Sequence, residues 1–333
     1  MRGRTGPAGR SSRTASSWLD SPTGRRPGSP CNDRASSKAS YRFELSTPAA
    51  YTAVANGSLV GKHTGSSRTV WVYEQAEPMS TYLATVQIGR YRASRLEGAS
   101  VPMTVHAPAR LRAGVDLALA RQGEMLQTFA SLFGPYPFPA YTVVVTDDVL
   151  EIPLESQTLS TFGANHLRTD WQSQRLIAHE LAHQWFGNAL TAGEWRDIWL
   201  HEGFACYSEW LWSEWSGGRP AQRHADEHWR RLSALPQDLI LADPSRARMF
   251  DDRVYKRGAL LLHALRLRLG DALFFDVLRT WVDAHRYGTV STAAFTEHVS
   301  AAADAAGVGV RQLLQAWLFS PQLPELPRAV TGA

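Results

Sequence analysis

The segment His179-Glu180-Leu181-Ala182-His183, with Glu202 following His183 after eighteen intervening residues, restricts the fold of this 333-residue chain more than any other feature. Positions four apart on an α-helix share a face, so a helix through residues 179–183 lets both imidazoles reach one ion. Glu180 then comes off the neighbouring position, beside whatever coordination place stays open. A catalytic zinc takes three protein ligands and leaves one place for water. The third carboxylate or imidazole has to come from elsewhere, and Trp199-Leu200-His201-Glu202-Gly203-Phe204-Ala205, which reads as the next helix, supplies it at Glu202. The expectation is one Zn2+ per chain, held by His179, His183 and Glu202, with Glu180 as the general base.

The first of these helices has start signals at Thr169 or Asp170 and a stop at Gly187-Asn188, so it is expected over about 170–186. Glu209 lies seven residues after Glu202, two turns along the same face. On spacing alone it is either a carboxylate that accepts a hydrogen bond from a ligand histidine's second ring nitrogen or a solvated surface glutamate. His201 adjoins a ligand but points about 100° away on a helix, which places it in a supporting or core position rather than as a fourth ligand. His224 and His228 are also four apart, but Arg223, Arg230 and Arg231 around them read as a solvated charged face, not as a second metal site.

Along the chain, residues 1–30 are rich in Arg, Ser, Gly and Pro without hydrophobic period and are expected to be disordered. Residues 31–107 read as β-rich, with short alternating runs at 41–45, 51–54, 69–73, 82–88 and 102–106. From residue 108 the pattern turns helical, opening with an apolar stripe through Leu117, Met125, Leu126 and Phe129. Buried strands are expected at 141–145 and 158–162, then helices at about 170–186, 197–215, 220–235, 254–269, 271–285, 291–304 and 309–319, before a tail at 327–333. A partial antiparallel β region followed by a run of helices is an α+β arrangement.

The formal net charge is only +4, with much of the excess arginine in the first 34 residues, which argues against a nucleic-acid-binding face. No run reaches the apolar length of a membrane span, and no apolar leader precedes a small-residue cleavage site. Two cysteines, Cys31 and Cys206, are too few for a disulfide framework, so a reducing, cytoplasmic setting is expected.

With these motifs in this order, the sequence resembles the aminopeptidase N-like gluzincins, zinc peptidases whose second and third ligands are separated by eighteen residues. The resemblance runs from about Cys31 to Leu326. Cys31-Asn32-Asp33 with Lys38-Ala39-Ser40-Tyr41 is similar to a strand opening late in the family's N-terminal domain, and Val254-Tyr255-Lys256-Arg257-Gly258-Ala259 is similar to its tyrosine motif. Leu313 to Phe319, followed by Ser320-Pro321, is similar to the end of short bacterial members without the helical-repeat C-terminal domain.

The resemblance implies a thermolysin-like, mainly helical zinc catalytic domain over 108–326, preceded by a shortened N-terminal β domain. It implies that Tyr255, which alone would read as an ordinary helix-start aromatic, donates its hydroxyl to the oxyanion. It sets Ile152-Pro153-Leu154-Glu155-Ser156-Gln157 against the family's Gly-Ala-Met-Glu-Asn stretch, so Glu155 would hold the substrate's α-ammonium. Ile152 and Pro153 depart from the small residues there, and Pro153 removes a backbone N–H. The implied activity is removal of the first residue from peptides with a free N-terminus. The alternative is a catalytically impaired zinc-binding remnant that binds peptides without turnover. No motif speaks to the oligomeric state.

Overall fold

The computed structural model describes residue 32 and residues 34–327. The expected disordered segment 1–30 and the tail beyond residue 327 lie outside the described residues.

Alternating runs from Lys38 onward form β1 (Lys38–Pro48), β2 (Thr52–Ala55), β3 (Ser58–Thr64), β4 (Arg68–Ser80) and β5 (Val86–Gly89). β4 pairs antiparallel with β1 on one side and β3 on the other, while β2 pairs with β5. Ala53, Ala55, Trp71 and Tyr73 are buried between them with Phe43, Leu45, Val86 and Ile88. The sequence pattern missed β3, whose residues are mostly exposed on an edge and so lack an inside–outside alternation. The strand expected at 82–88 starts instead as a 3₁₀ turn at Thr81–Leu83, which turns Tyr82 out of the sheet.

β6 (Tyr91–Leu96), β7 (Met103–Pro108), β8 (Tyr141–Thr146) and β9 (Leu159–Gly163) form a second sheet in that order, antiparallel at β6–β7 and parallel thereafter. β8 and β9 are almost continuously buried, as strands covered on both faces are. Because β7 pairs with β8, the expected division at 107/108 cuts through this sheet. α1 (Arg112–Ala118) and α2 (Gln122–Phe133) cross between β7 and β8. The chain breaks at residues 119–121, so the expected single stripe is two helices: Met125, Leu126 and Phe129 are buried, whereas Leu117 is exposed.

The remainder comprises α3 (Trp171–Ala182), α4 (Trp199–Trp215), α5 (Ala221–Ser233), α6 (Asp252–Leu269), α7 (Asp271–His285), α8 (Thr292–Ala305) and α9 (Arg311–Phe319). Two short parallel strands, β10 (Thr191–Ala192) and β11 (Thr289–Val290), tie the α3–α4 connection to the α7–α8 connection. The antiparallel N-terminal region followed by this helical body is the expected α+β architecture. α4 is buried from Trp199 to Ser213 and packs against α3 and α6. Its approach to α6 is set by Gly203 and Gly258: a Cβ built on Gly258 would fall 2.7 Å from the Cα of Gly203. Among the described residues, no helix is long and apolar enough to cross a membrane.

Candidate active site

Asp170 caps α3 by accepting a hydrogen bond from the Ser173 N–H at 3.0 Å. The regular helix ends at Ala182, earlier than expected, because the following amides tighten onto carbonyls three residues back: Gln184 N–H donates to Leu181 O and Trp185 N–H to Ala182 O. His183, the C-cap, still has right-handed helical geometry and stays on the face of His179. A 3₁₀ turn at Trp195–Asp197 starts α4 so that Glu202 comes from its first turn. One ligand atom each from His179, His183 and Glu202 can be chosen so that all lie within 4.8 Å of one another. The Glu202 Oε2 is 3.3 Å from His179 Nε2 and 3.4 Å from His183 Nε2.

The remaining ring nitrogens are held by protein. His183 Nδ1–H donates to Phe186 O at 2.9 Å, and His179 Nδ1–H to Glu209 Oε1 at 2.9 Å. Both Nε2 atoms are thereby turned toward Glu202. Glu209 is therefore not a solvated surface glutamate: it is buried, with Arg175 Nη1 3.4 Å and Lys256 Nζ 3.9 Å away. Burial would raise its pKa, but Lys256, His179 and Arg175 together hold it down at about 2, so it is an anion at working pH. His201 accepts a hydrogen bond from Ala192 N–H at 2.7 Å and burial lowers its pKa to about 3. That neutral ring, already engaged, is not a metal donor.

Glu180 is buried, and its Oε2 has no hydrogen-bond partner. Burial pushes its carboxyl up to about 8; the charges of Glu155 and Glu202 add to this against the pull of His179 and His183. A divalent cation bound beside it would draw that value down. An unpartnered buried carboxylate oxygen beside a His-His-Glu donor set fits a metal that carries a water.

Tyr255, in the first turn of α6, lies over His179 with ring centroids 6.1 Å apart and planes 19° from parallel. Burial raises its pKa well above the ordinary phenol value, and the charges of Glu202, Glu155 and Glu180 raise it further, so the hydroxyl stays a donor. The rest of its motif has other tasks. Arg257 is buried and donates to the carbonyls of Leu239, Trp317, Ser320, Pro321 and Gln322, which fastens the end of α9 to α6.

These groups share one cleft of about 840 Å3, a size ordinary for small-ligand sites. Glu155 is half-buried on its wall, in a stretch that pairs with β9 through Leu154 and Thr161. That stretch is clamped by side chains the sequence reading overlooked. Asn188 Nδ2–H donates to Glu155 O at 2.6 Å, Gln184 Nε2–H to Ser156 O at 3.2 Å, and Asn56 Nδ2–H to Gln157 O at 2.7 Å. Only the requirement that buried amides find partners could have suggested them. Tyr82 and Trp195 also line the cleft. His224 and His228 are not on a solvated face; both stack on Trp210, and they form no metal cluster.

The sequence profile of the peptidase family M1 domain matches residues 117–317, three-fifths of the chain, and that of the peptidase M1 N-terminal domain matches residues 12–83. The chain belongs to peptidase family M1. The similarity thus begins before Cys31, within the segment expected to be disordered. The chain is 26% identical over 331 residues to the mitochondrial aminopeptidase 2 of Saccharomyces cerevisiae, covering 93% of this chain and 34% of that protein. It is 27% identical to aminopeptidase N of Lactococcus lactis, covering 89% and 37%. It therefore spans about a third of the length of the curated relatives it matches. Among solved structures, the M1 zinc metallopeptidase of Deinococcus radiodurans superposes with a TM-score of 0.84 at 33% identity, over 94% of this chain and 72% of that one. A mutant of that enzyme bound to a Tyr-Ser-Ala substrate matches equally well, at 34% identity. The M1 cofactor is zinc, and the donor set suits it.

Proposed function

We propose that this chain is a zinc-dependent aminopeptidase that hydrolyses the first peptide bond of peptides with a free N-terminus. The observation that carries the reading is Glu180: a buried carboxylate with an unpartnered oxygen, set beside three converging metal donors. His179, His183 and Glu202 would hold the ion. Zinc bound there supplies a water of near-neutral pKa and polarises the scissile carbonyl.

Glu180 takes a proton from that water during attack and returns it to the leaving amine. Tyr255 donates its hydroxyl to the charge that develops on the carbonyl oxygen, a contribution worth ~3 kcal/mol in comparable sites. Glu155, on the cleft wall, pairs with the substrate's ammonium and so restricts cleavage to the first residue. A reducing, cytoplasmic setting is read from the cysteine count alone, two being too few for a disulfide framework.

The test is hydrolysis of aminoacyl-4-methylcoumarin amides by zinc-assayed protein, with and without chelator. Chelator-sensitive release restored by zinc, and loss of cleavage when a dipeptide is N-acetylated, support the reading. Stoichiometric zinc without release of any aminoacyl group would instead favour a remnant that binds peptides without cutting them.

A further inference from the structure

The cleft continues past the metal donors along α3. Glu155 lies beyond the C-terminal end of that helix, where Asn188 holds its carbonyl, whereas Arg175 projects one turn before His179. The two residues thus flank the metal cluster on opposite sides.

The arm on the Arg175 side is lined by Trp171, Trp210, His224, His228 and Lys256. Burial lowers the pKa of both histidines, so they are neutral. On the rim, Arg219 pairs with Glu227 and Arg231 with Asp252. Deeper in, Arg175 and Lys256 share one carboxylate, Glu209, while the neighbouring Cys206 thiol is pushed up to about 12 by burial and stays uncharged. One positive charge is left uncompensated. Arg175 is its accessible end: the side chain keeps 30% of its exposure, and its Nη2 has no acceptor among the described residues. The opposite side is acidic, with Glu151 and Glu155 on the wall. This polarity matches a short zwitterionic peptide, ammonium toward Glu155 and carboxylate toward Arg175.

Resting on the aminopeptidase reading, we propose that Arg175 binds the C-terminal carboxylate of the leaving fragment, so that the favoured substrates are dipeptides and tripeptides with both ends free. The span agrees: one helical turn is ~5.4 Å, the reach of one to two extended residues at ~3.4 Å each. Arg175 is the group that can meet a carboxylate with two parallel N–H donors once Nη1 turns from its long contacts with Glu209.

The experiment is calorimetric binding of leucyl-leucine and of leucyl-leucinamide to the zinc-loaded Glu180→Gln protein, which needs no turnover. The free acid should bind ~10-fold or more tightly than the amide, the size of one charge-assisted hydrogen bond. Arg175→Met should bring the two affinities together, and Arg175→Lys should restore part of the difference. Equal affinities in the Glu180→Gln parent, no binding of either peptide, or a preference that survives Arg175→Met would overturn the proposal. Coumarin-amide hydrolysis by the unsubstituted protein reports separately on the aminopeptidase reading, because that substrate has no carboxylate.

Discussion

Gly203 and Gly258 meet back to back where α4 crosses α6, so close that a Cβ on either would fall within 2.8 Å of the other's Cα. Glu202 precedes the first glycine, and Tyr255 lies one turn before the second. The contact therefore fixes the distance between a candidate metal ligand and the candidate oxyanion donor. Gly258→Ala should force the helices apart, costing ~1–3 kcal/mol. A lowered thermal midpoint with activity falling further than stability is expected; an unchanged midpoint would refute the close packing.

Glu180→Gln should keep zinc at stoichiometry and lose at least ~100-fold in turnover, because the amide cannot take a proton from water. Metal analysis and steady-state kinetics on the same preparation check both halves.

Tyr255→Phe removes one hydroxyl from a site where the ring's packing on His179 remains. Turnover should drop by ~100-fold or more, with KM little changed, as for loss of a donor that acts on transition-state charge. A KM effect alone would point to a binding role.

Glu209→Gln should weaken zinc binding by ~10–100-fold, since the anion that holds His179 Nδ1–H becomes a neutral amide. Competition against a chelator of known affinity measures it. The substitution also leaves Lys256 without its carboxylate, so the melting temperature should fall as well.

Arg257→Gln should cost ~2–4 kcal/mol of stability, because several carbonyls at the end of α9 lose a shared donor. Denaturant unfolding followed by tryptophan fluorescence reads it out; a loss confined to catalysis would contradict the structural role.

Local periodicity made α3 and α4 legible, together with the pairing of His179 and His183 on one face, because i and i+4 geometry is a property of a single helix. It failed at the edge strands β3, mostly exposed, and β6, where only Tyr91 is buried, because neither carries an inside–outside alternation, and at Leu117, where a break at residues 119–121 separates two helices that share one apparent stripe. The solvated reading of His224 and His228 failed for a related reason. The arginines beside them in sequence face outward, while the two rings stack on Trp210, a residue from another helix.

The sequence by itself determined the donor types, their spacing and the helical frame that brings two of them onto one face, since each depends on contacts within a few residues. The tertiary structure decided the rest: that Glu209 is buried against His179 rather than solvated, that Tyr255 lies over His179, and that Asn56, Gln184 and Asn188 clamp the Glu155 stretch. These depend on which elements pack together, and a buried polar group's partner can come from anywhere along the chain. The choice between a supporting carboxylate and a solvated one is made by burial, which spacing does not encode.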